Sequence, residues 1–252
     1  RKLEEAVDAH HVDKDAETQG FVATPSGKVL IAAAERIEGI LSWAHDNLAA
    51  LEQGSVGHVR IGFESTGRYF APRLIALLRQ RCPSIAVSFE VANRNRIIEC
   101  LAKEKIDLAV IGRPPRQPLT EATPIGEHPY TLFVPPQHAL ARKPDYDPET
   151  LIEQPILARE PGSGTRILLD RFLSQIEGYG TPTLIELDSN ETIKEAIMAE
   201  LGVGMLSMHV AKRELADGRL VMLNWPRLPI MRYWYLVLPL TARVSESTQR
   251  IR

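Results

Sequence analysis

Two short segments of the 252-residue chain combine hydroxyl side chains with glycine where a predicted strand leads into a predicted helix. Residues 65–67 have the sequence Ser-Thr-Gly, and residues 162–165 have the sequence Gly-Ser-Gly-Thr. The first backbone N–H groups of a helix lack partners within it, and the helix dipole favours negative charge there. Each segment could therefore hold a small anion or a polar ligand.

Arginine side chains near these segments could add positive charge to such a site. They are Arg68, Arg113, Arg159 and Arg166. Ordinary helix capping uses the same Ser and Thr residues, so capping alone is an open alternative. The presence of two such segments, one in each half of the chain, favours a ligand held between them.

Patterns typical of enzymes and metal sites are weak or absent in the sequence. No G-x-S-x-G nucleophile elbow occurs, and the segment ending at Lys28 lacks the spacing of a phosphate-binding loop. His10 and His11 with Asp13 and Asp15 could be drawn as metal ligands, but an acidic polar loop is the ordinary interpretation. We therefore expect no catalytic activity, no metal and no cofactor other than a small-molecule effector.

Alternating strands and helices must position the two glycine segments. Short apolar runs alternate with amphipathic stretches of helical period, and crossovers this short predict a parallel sheet covered on both faces. The pattern occurs twice, so we predict two similar α/β halves. The predicted strands are 59–63, 85–91, 107–111, 130–134, 155–159, 183–187, 203–206 and 232–238. The predicted helices are 70–81, 93–103, 164–176, 190–201 and one ending near residue 217.

A long helix precedes both halves. Thr24 followed by Pro25 is typical of a helix start, and glycines 54 and 57 end the pattern. Apolar residues at alternating spacings of four and three form a heptad seam, which predicts a dimerisation helix; packing of this helix on its own domain is the alternative. The seam comprises Leu30, Ala34, Ile37, Leu41, Ala44, Leu48 and Leu51.

Composition and charge exclude several classes of protein. The chain is 44% hydrophobic and 25% charged, with a formal charge of −2, so no overall basic excess indicates nucleic-acid binding. The charge is segregated, with −5 over residues 1–54 and +5 over residues 58–113. No apolar run is long enough to span a membrane, no signal peptide is present, and the two cysteines are typical of buried thiols in a cytoplasmic protein.

The arrangement resembles the LysR-type transcriptional regulators. Residues 20–28 before the long helix are similar to the wing and linker of that family, and residues 59–62, 106–110 and 189–207 are similar to landmarks of its effector domain. Residues 157–166, 214–220 and 228–234 resemble the branch called CbbR, which regulates the RuBisCO (Calvin–Benson–Bassham) operon. The resemblance spans essentially the whole chain.

The resemblance implies an α/β fold with two periplasmic-binding-protein-like lobes. They are preceded by the linker and dimerisation helix and by the remnant of a winged helix-turn-helix. Residues 1–27 would be the tail of the recognition helix and the wing, 28–55 the linker helix, 58–130 with 231–252 the first lobe, and 131–230 the second. The chain lacks a starting Met, which suggests a fragment.

The resemblance also implies a function. An anionic effector such as ribulose bisphosphate, another sugar phosphate or NADPH would bind between the lobes and control DNA binding. The implied partners are operator DNA, contacted by Arg1 and Lys2, a second copy in a homodimer or homotetramer, and RNA polymerase. The implied effector-binding residues are Ser65, Thr66, Gly112, Arg113, Gly162, Ser163, Thr165 and Asn190.

Two alternatives to a carbon-fixation regulator stay open at this point. The first is a LysR-type regulator of another pathway. The second is a solute-binding protein of the same two-lobed architecture, which would need a signal peptide and would have no use for the heptad seam.

Overall fold

The structure, a computed structural model, describes residues 11–14, 21–142, 148–176, 180–240 and 245–251. Within these ranges the chain forms a short hairpin, one long helix and two α/β lobes. The predicted DNA-contacting residues Arg1 and Lys2 lie outside the described residues, as does part of the predicted wing.

The hairpin leads directly into the long helix. Strand β1 (Val12–Lys14) pairs antiparallel with β2 (Phe21–Ala23), and helix α1 follows over Pro25–Glu52. The predicted helix start is confirmed, because the hydroxyl of Thr24 accepts a hydrogen bond from the Gly27 N–H at 3.0 Å. Among the described helices, none combines the length and apolarity needed to cross a membrane.

Replacing Thr24 with Ala is expected to lower the free energy of unfolding by about 1 kcal/mol, because one N–H in the first turn of α1 loses its side-chain acceptor. Thr24→Ser keeps the hydroxyl and is the matched control. Urea denaturation followed by circular dichroism measures the difference. An Ala variant as stable as the Ser variant would show that this cap contributes nothing.

The remaining elements alternate along the chain. The strands are β3 (Gly57–Glu64), β4 (Ile85–Ala92), β5 (Leu108–Ile111), β6 (Thr120–Glu127), β7 (Tyr130–Val134), β8 (Ile156–Arg159), β9 (Leu184–Leu187), β10 (Val203–Ser207), β11 (Val221–Met222) and β12 (Tyr233–Pro239). The helices are α2 (Ala71–Arg81), α3 (Arg94–Ala102), α4 (Ala139–Arg142), α5 (Pro148–Glu153), α6 (Gly164–Leu173), α7 (Asn190–Met198), α8 (Met208–Ala216) and α9 (Glu246–Ile251). A 3-10 turn occupies Ser65–Tyr69.

Two five-stranded sheets define the lobes. In lobe I the strand order is β4-β3-β5-β12-β6, and in lobe II it is β11-β7-β10-β8-β9. In each lobe, apolar side chains pack on both faces of the sheet, because alternate residues of a strand point to opposite sides. In lobe I, Phe63 packs with α2 on one face, whereas Ala109 packs with α3 on the other.

The parallel pairing predicted for the first βαβαβ run is confirmed, because β3 runs parallel to β4 and β5. A wholly parallel sheet was wrong, because β12 runs antiparallel to β5 and β6, and β10 runs antiparallel to β7. Strand β6 was missed altogether. It carries Pro124 and Gly126 and is mostly exposed, so it lacks the alternation that identifies a half-buried strand.

The chain crosses between the lobes twice, at adjacent positions. The first crossing joins β6 to β7 near His128, and the second joins β11 to β12 near Ile230. Tyr130 and Ile230 exchange backbone hydrogen bonds of 3.0 and 2.7 Å, and the His128 N–H donates to the Arg232 carbonyl at 2.7 Å. The two crossings therefore form one narrow connection between the lobes.

Helix α1 packs closely on lobe I around Gly39. A Cβ at this position would lie 2.2 Å from the Lys103 carbonyl oxygen, so only glycine fits. The buried side chain of Arg60 points at the same place: its guanidinium donates to the Gly39 and Glu104 carbonyls and pairs with Asp107 at 2.9 Å. We call Gly39, Arg60, Glu104 and Asp107 the helix clamp.

Ion pairs extend this contact along α1. Three ion pairs join α1 to residues 103–105, which form the turn after α3. They are Glu35 with Lys103, Arg36 with Glu104, and Glu38 with Lys105. One face of α1 therefore packs on the chain's own lobe I, as the alternative to a dimerisation helix predicted.

The heptad seam lies on a different face of α1, and most of its large side chains stay exposed. The exposed fraction of the large seam side chains is 59% for Ile37, 65% for Leu41, 61% for Leu48 and 55% for Leu51. A stripe of large apolar side chains left in water favours association with another apolar surface. The dimerisation role of the seam stays a prediction.

Candidate functional site

The two lobes contact each other through the segments that follow β3 in lobe I and β9 in lobe II. The side-chain amide of Asn190, at the start of α7 in lobe II, donates to the Thr66 hydroxyl in lobe I at 3.2 Å. The Oδ1 atom of the same side chain accepts a hydrogen bond from the Arg159 guanidinium at 2.8 Å. The Tyr69 hydroxyl of lobe I donates to Glu191 of lobe II at 2.8 Å. Since these groups are polar and mostly buried, the contact is specific.

A cavity of about 300 Å³ opens beside this contact, between the lobes and next to the crossings. We call it the cleft cavity. Arg94, Gly112 and Arg113 of lobe I form one wall, and Gly164, Ile167 and Leu168 at the start of α6 form the opposite wall. The remaining lining residues are Glu64, Pro114, Arg116, His128, Tyr130, Arg171 and Arg232.

Positive charge dominates the cleft cavity. Arg94, Arg113, Arg116, Arg171 and Arg232 line it, and Glu64 is the one carboxylate among the described lining residues. Opposite charges inside a partly enclosed cavity attract strongly, because little water screens them. The cavity is therefore suited to a ligand with more than one negative charge.

The Glu64 carboxylate lies at the boundary between the lobes. Its Oε2 accepts a hydrogen bond from the Gly112 N–H at 2.8 Å. Its Oε1 lies against the first residue of α6, because a Cβ built on Gly164 would be 2.0 Å away from it. Burial raises the pKa of Glu64, and the hydrogen bond from Gly112 and the neighbouring Arg94 act in the opposite direction.

His128 contributes a neutral polar surface to the cleft cavity. Its ring is completely buried and stacks on Trp234, with ring centroids 3.8 Å apart. Burial lowers the pKa of His128 to about 2, so the ring is uncharged at neutral pH. Neither ring nitrogen has a hydrogen-bond partner among the described residues, which costs free energy in a buried polar group.

A second, smaller space lies on the other side of the contact between the lobes. This polar cavity of about 220 Å³ is lined by Ser65, Arg68, Asn93, Arg159 and Asn190, among others. Its arginines already have carboxylate partners. Arg159 pairs with Glu160 at 2.7 Å, and Arg68 pairs with Glu191 at 3.2 Å. The polar cavity therefore attracts an anion less strongly than the cleft cavity.

The eight predicted effector-binding residues are divided among four places. Gly112 and Arg113 line the cleft cavity, whereas Ser65 and Asn190 line the polar cavity. Thr66 and Thr165 are buried between the two cavities, where both face the Tyr130 side chain.

The remaining two predicted residues lie at the start of α6. Ser163 is buried there as the residue before the helix, and its hydroxyl makes no capping hydrogen bond. Gly162, with φ of +90°, packs against Asn95 of lobe I. The role of all eight residues in effector binding stays a prediction.

Sequence reasoning identified Arg113 but missed most of the other side chains that give the cleft cavity its charge. One signal was available: Arg94 opens helix α3, where the helix dipole disfavours a positive charge. Glu64 gave a second signal, because it ends an otherwise buried strand. Nothing in the local sequence identifies His128, Arg171 or Arg232, which come together only through the crossings and α6.

Comparison with known proteins adds to this geometry. Residues 52–252 match the family described as LysR substrate binding domain. The HTH-type transcriptional regulator CbbR of Cereibacter sphaeroides is 43% identical over 252 residues, which is 100% of this chain and 81% of that protein.

Solved structures with the same fold include the Synechocystis PCC6803 CcmR regulatory domain in complex with 2-PG. Its TM-score is 0.71 at 30% identity, covering 77% of this chain and 92% of that one. A full-length OxyR variant from Pseudomonas aeruginosa shares the fold with a TM-score of 0.63 at 21% identity, covering 99% of this chain and 79% of that one.

Proposed function

The chain belongs to the LysR family of transcriptional regulators, and from this we propose that its cleft cavity binds a small phosphorylated or anionic effector that controls carbon-fixation genes. The observation that carries the proposal is the set of five arginines lining the cleft cavity among the described residues. The match to a CbbR regulator and the CcmR complex with 2-PG, a phosphorylated compound, support the same effector class.

The cleft cavity can couple effector binding to the angle between the lobes. Arg113 belongs to lobe I, whereas Arg171 belongs to α6 of lobe II. An anion held by both would favour one relative orientation of the lobes over others, which is the condition for a ligand to shift a conformational equilibrium. In this proposal the two ring nitrogens of His128 orient a polar group of the effector.

The regulator acts with partners outside this chain. We place it in the cytoplasm, where it would bind operator DNA as a homodimer or homotetramer and contact RNA polymerase. Ribulose bisphosphate, other sugar phosphates, NADPH and 2-PG are the effectors to test. A LysR-type regulator of another pathway is the alternative that a negative result would favour.

Ribulose bisphosphate, NADPH or 2-PG at millimolar concentration is expected to raise the melting temperature, because a ligand that binds only the folded state stabilises it. The double variant Arg113→Gln with Arg171→Gln should weaken binding by at least about tenfold, since each lobe loses one charge from the cleft cavity. Thermal shift and isothermal titration calorimetry measure the two effects.

The matched control for this experiment is Arg73→Gln with Arg213→Gln. Both arginines are exposed, one in each lobe, and neither lines the cleft cavity. Equal affinity in the two double variants would place the effector outside the cleft cavity. No thermal shift with any of these compounds would argue against a carbon-fixation effector.

A further inference from the structure

The Glu64 carboxylate occupies the place where an anionic effector would find its backbone donors. It accepts the hydrogen bond from Gly112 N–H in lobe I and lies against Gly164 at the positive end of α6 in lobe II. One side chain therefore links the two walls of the cleft cavity.

The cleft cavity shows independently that it can take a ligand. His128, which is completely buried, lines it and has two ring nitrogens without hydrogen-bond partners among the described residues. A buried polar group without a partner costs free energy that a bound ligand can recover. The donors around Glu64 are thus part of a ligand site.

The groups around Glu64 come from several elements. Those that face it are Arg94 on α3, Arg159 on β8, Tyr130 on β7 and Arg232 ahead of β12. Arg113 and His128 line the same cavity. An effector anion would be attracted by the arginines and repelled by the Glu64 carboxylate, because opposite charges attract and like charges repel.

We propose that Glu64 is an internal competitor of the effector: its carboxylate accepts the Gly112 N–H and lies against the N-terminus of α6 until an anionic ligand bound beside it drives its protonation. This inference rests on the proposed function of the cleft cavity. It makes Glu64 the residue that sets how much negative charge an effector needs in order to bind.

The direction of the pH dependence follows from this geometry. An anion bound beside Glu64 disfavours the charged carboxylate, so the pKa of Glu64 is higher in the complex than in the free protein. Binding then takes up a proton. The affinity for the anion is therefore highest at pH values below the pKa that Glu64 has in the free protein. It falls as pH rises from that pKa to the higher pKa that Glu64 has in the complex.

Glu64→Gln tests the proposal, because Gln keeps an oxygen that can accept from Gly112 N–H and removes the charge. With ribulose bisphosphate as the probe, calorimetry at about pH 8 should show that the variant binds about tenfold more tightly than the wild type. A tenfold difference corresponds to a pKa of Glu64 that is about one unit higher in the complex than in the free protein. As pH rises, the wild-type affinity should fall more than the variant affinity, because only the wild-type protein has a carboxyl group at position 64 that can lose a proton.

The control variant is Glu195→Gln, an exposed carboxylate on α7, which should match the wild type at every pH. A second measurement needs no variant: titration in two buffers of different ionisation enthalpy should reveal proton uptake when the wild-type protein binds the probe.

The possible outcomes separate this inference from the proposed function. Wild-type binding without proton uptake, or with equal or weaker binding by Glu64→Gln and the same pH dependence, would overturn the competitor role and leave the effector site in place. If neither the wild type nor the variant binds ribulose bisphosphate, inorganic phosphate or 2-PG, the anionic effector site itself is refuted.

Discussion

Replacing both Ile37 and Leu41 with Asp is expected to convert the proposed dimer to a monomer at micromolar concentration. These side chains are 59% and 65% exposed in a single chain and lie in the middle of the heptad seam. In the proposed dimer each would face its copy, so two new carboxylates per chain would be buried without partners. The dissociation constant should rise by about a thousandfold or more, since each unpaired buried charge costs several kcal/mol.

Light scattering coupled to size exclusion measures this change directly. A suitable control replaces Leu77 and Leu184 with Asp, because both are exposed apolar residues, 46% and 40% exposed, that lie outside α1. If the Ile37 and Leu41 variant keeps the mass of the wild type, the seam is not the dimer interface and must be covered by something else.

Replacing Arg60 with Met is expected to lower the free energy of unfolding by about 3 kcal/mol. Its guanidinium is buried in the helix clamp, where it pairs with Asp107 and donates to the carbonyls of Gly39 and Glu104. Removing it leaves these acceptors and one carboxylate with fewer partners. The cost is larger than for an exposed ion pair, which contributes about 1 kcal/mol or less.

Chemical denaturation of Arg60→Met beside Arg73→Met measures this difference, since Arg73 is an exposed arginine of the same lobe. The double variant Arg60→Met with Asp107→Asn should recover part of the loss, because it removes the unpaired charge. A loss no larger than that of the Arg73 control would mean that the helix clamp contributes little to stability.

The elements that the sequence predicted best are those whose signals are local. The Thr24 cap and the apolar period of α2 and α3 act within one helix. Strand β5 is apolar throughout, and β3 carries apolar side chains at alternate positions 59, 61 and 63. Strand β6 was missed because its pairing partner is β12, more than 100 residues later in the chain. Its own residues contain too few buried apolar side chains to reveal the pairing.

The same reasoning explains how far the site could be predicted. The segments at 65–67 and 162–165 both reach the boundary between the lobes, where Thr66 and Thr165 each contact the Tyr130 side chain. The sequence could not show that Thr66 and Thr165 would be buried against Tyr130 rather than face a cavity. It also could not show that Arg94 and Arg171, from different lobes, would face the same space.

Gly39 has a consequence for how the regulator signals. Helix α1 packs on lobe I at Gly39, where there is no room for a methyl group, and the buried Arg60 side chain bonds to it there. Because of this contact, lobe I and α1 must move together. In a dimer joined by two α1 helices, both copies of lobe I therefore form a fixed frame. We therefore expect effector binding to change the position of lobe II relative to the two joined copies of lobe I.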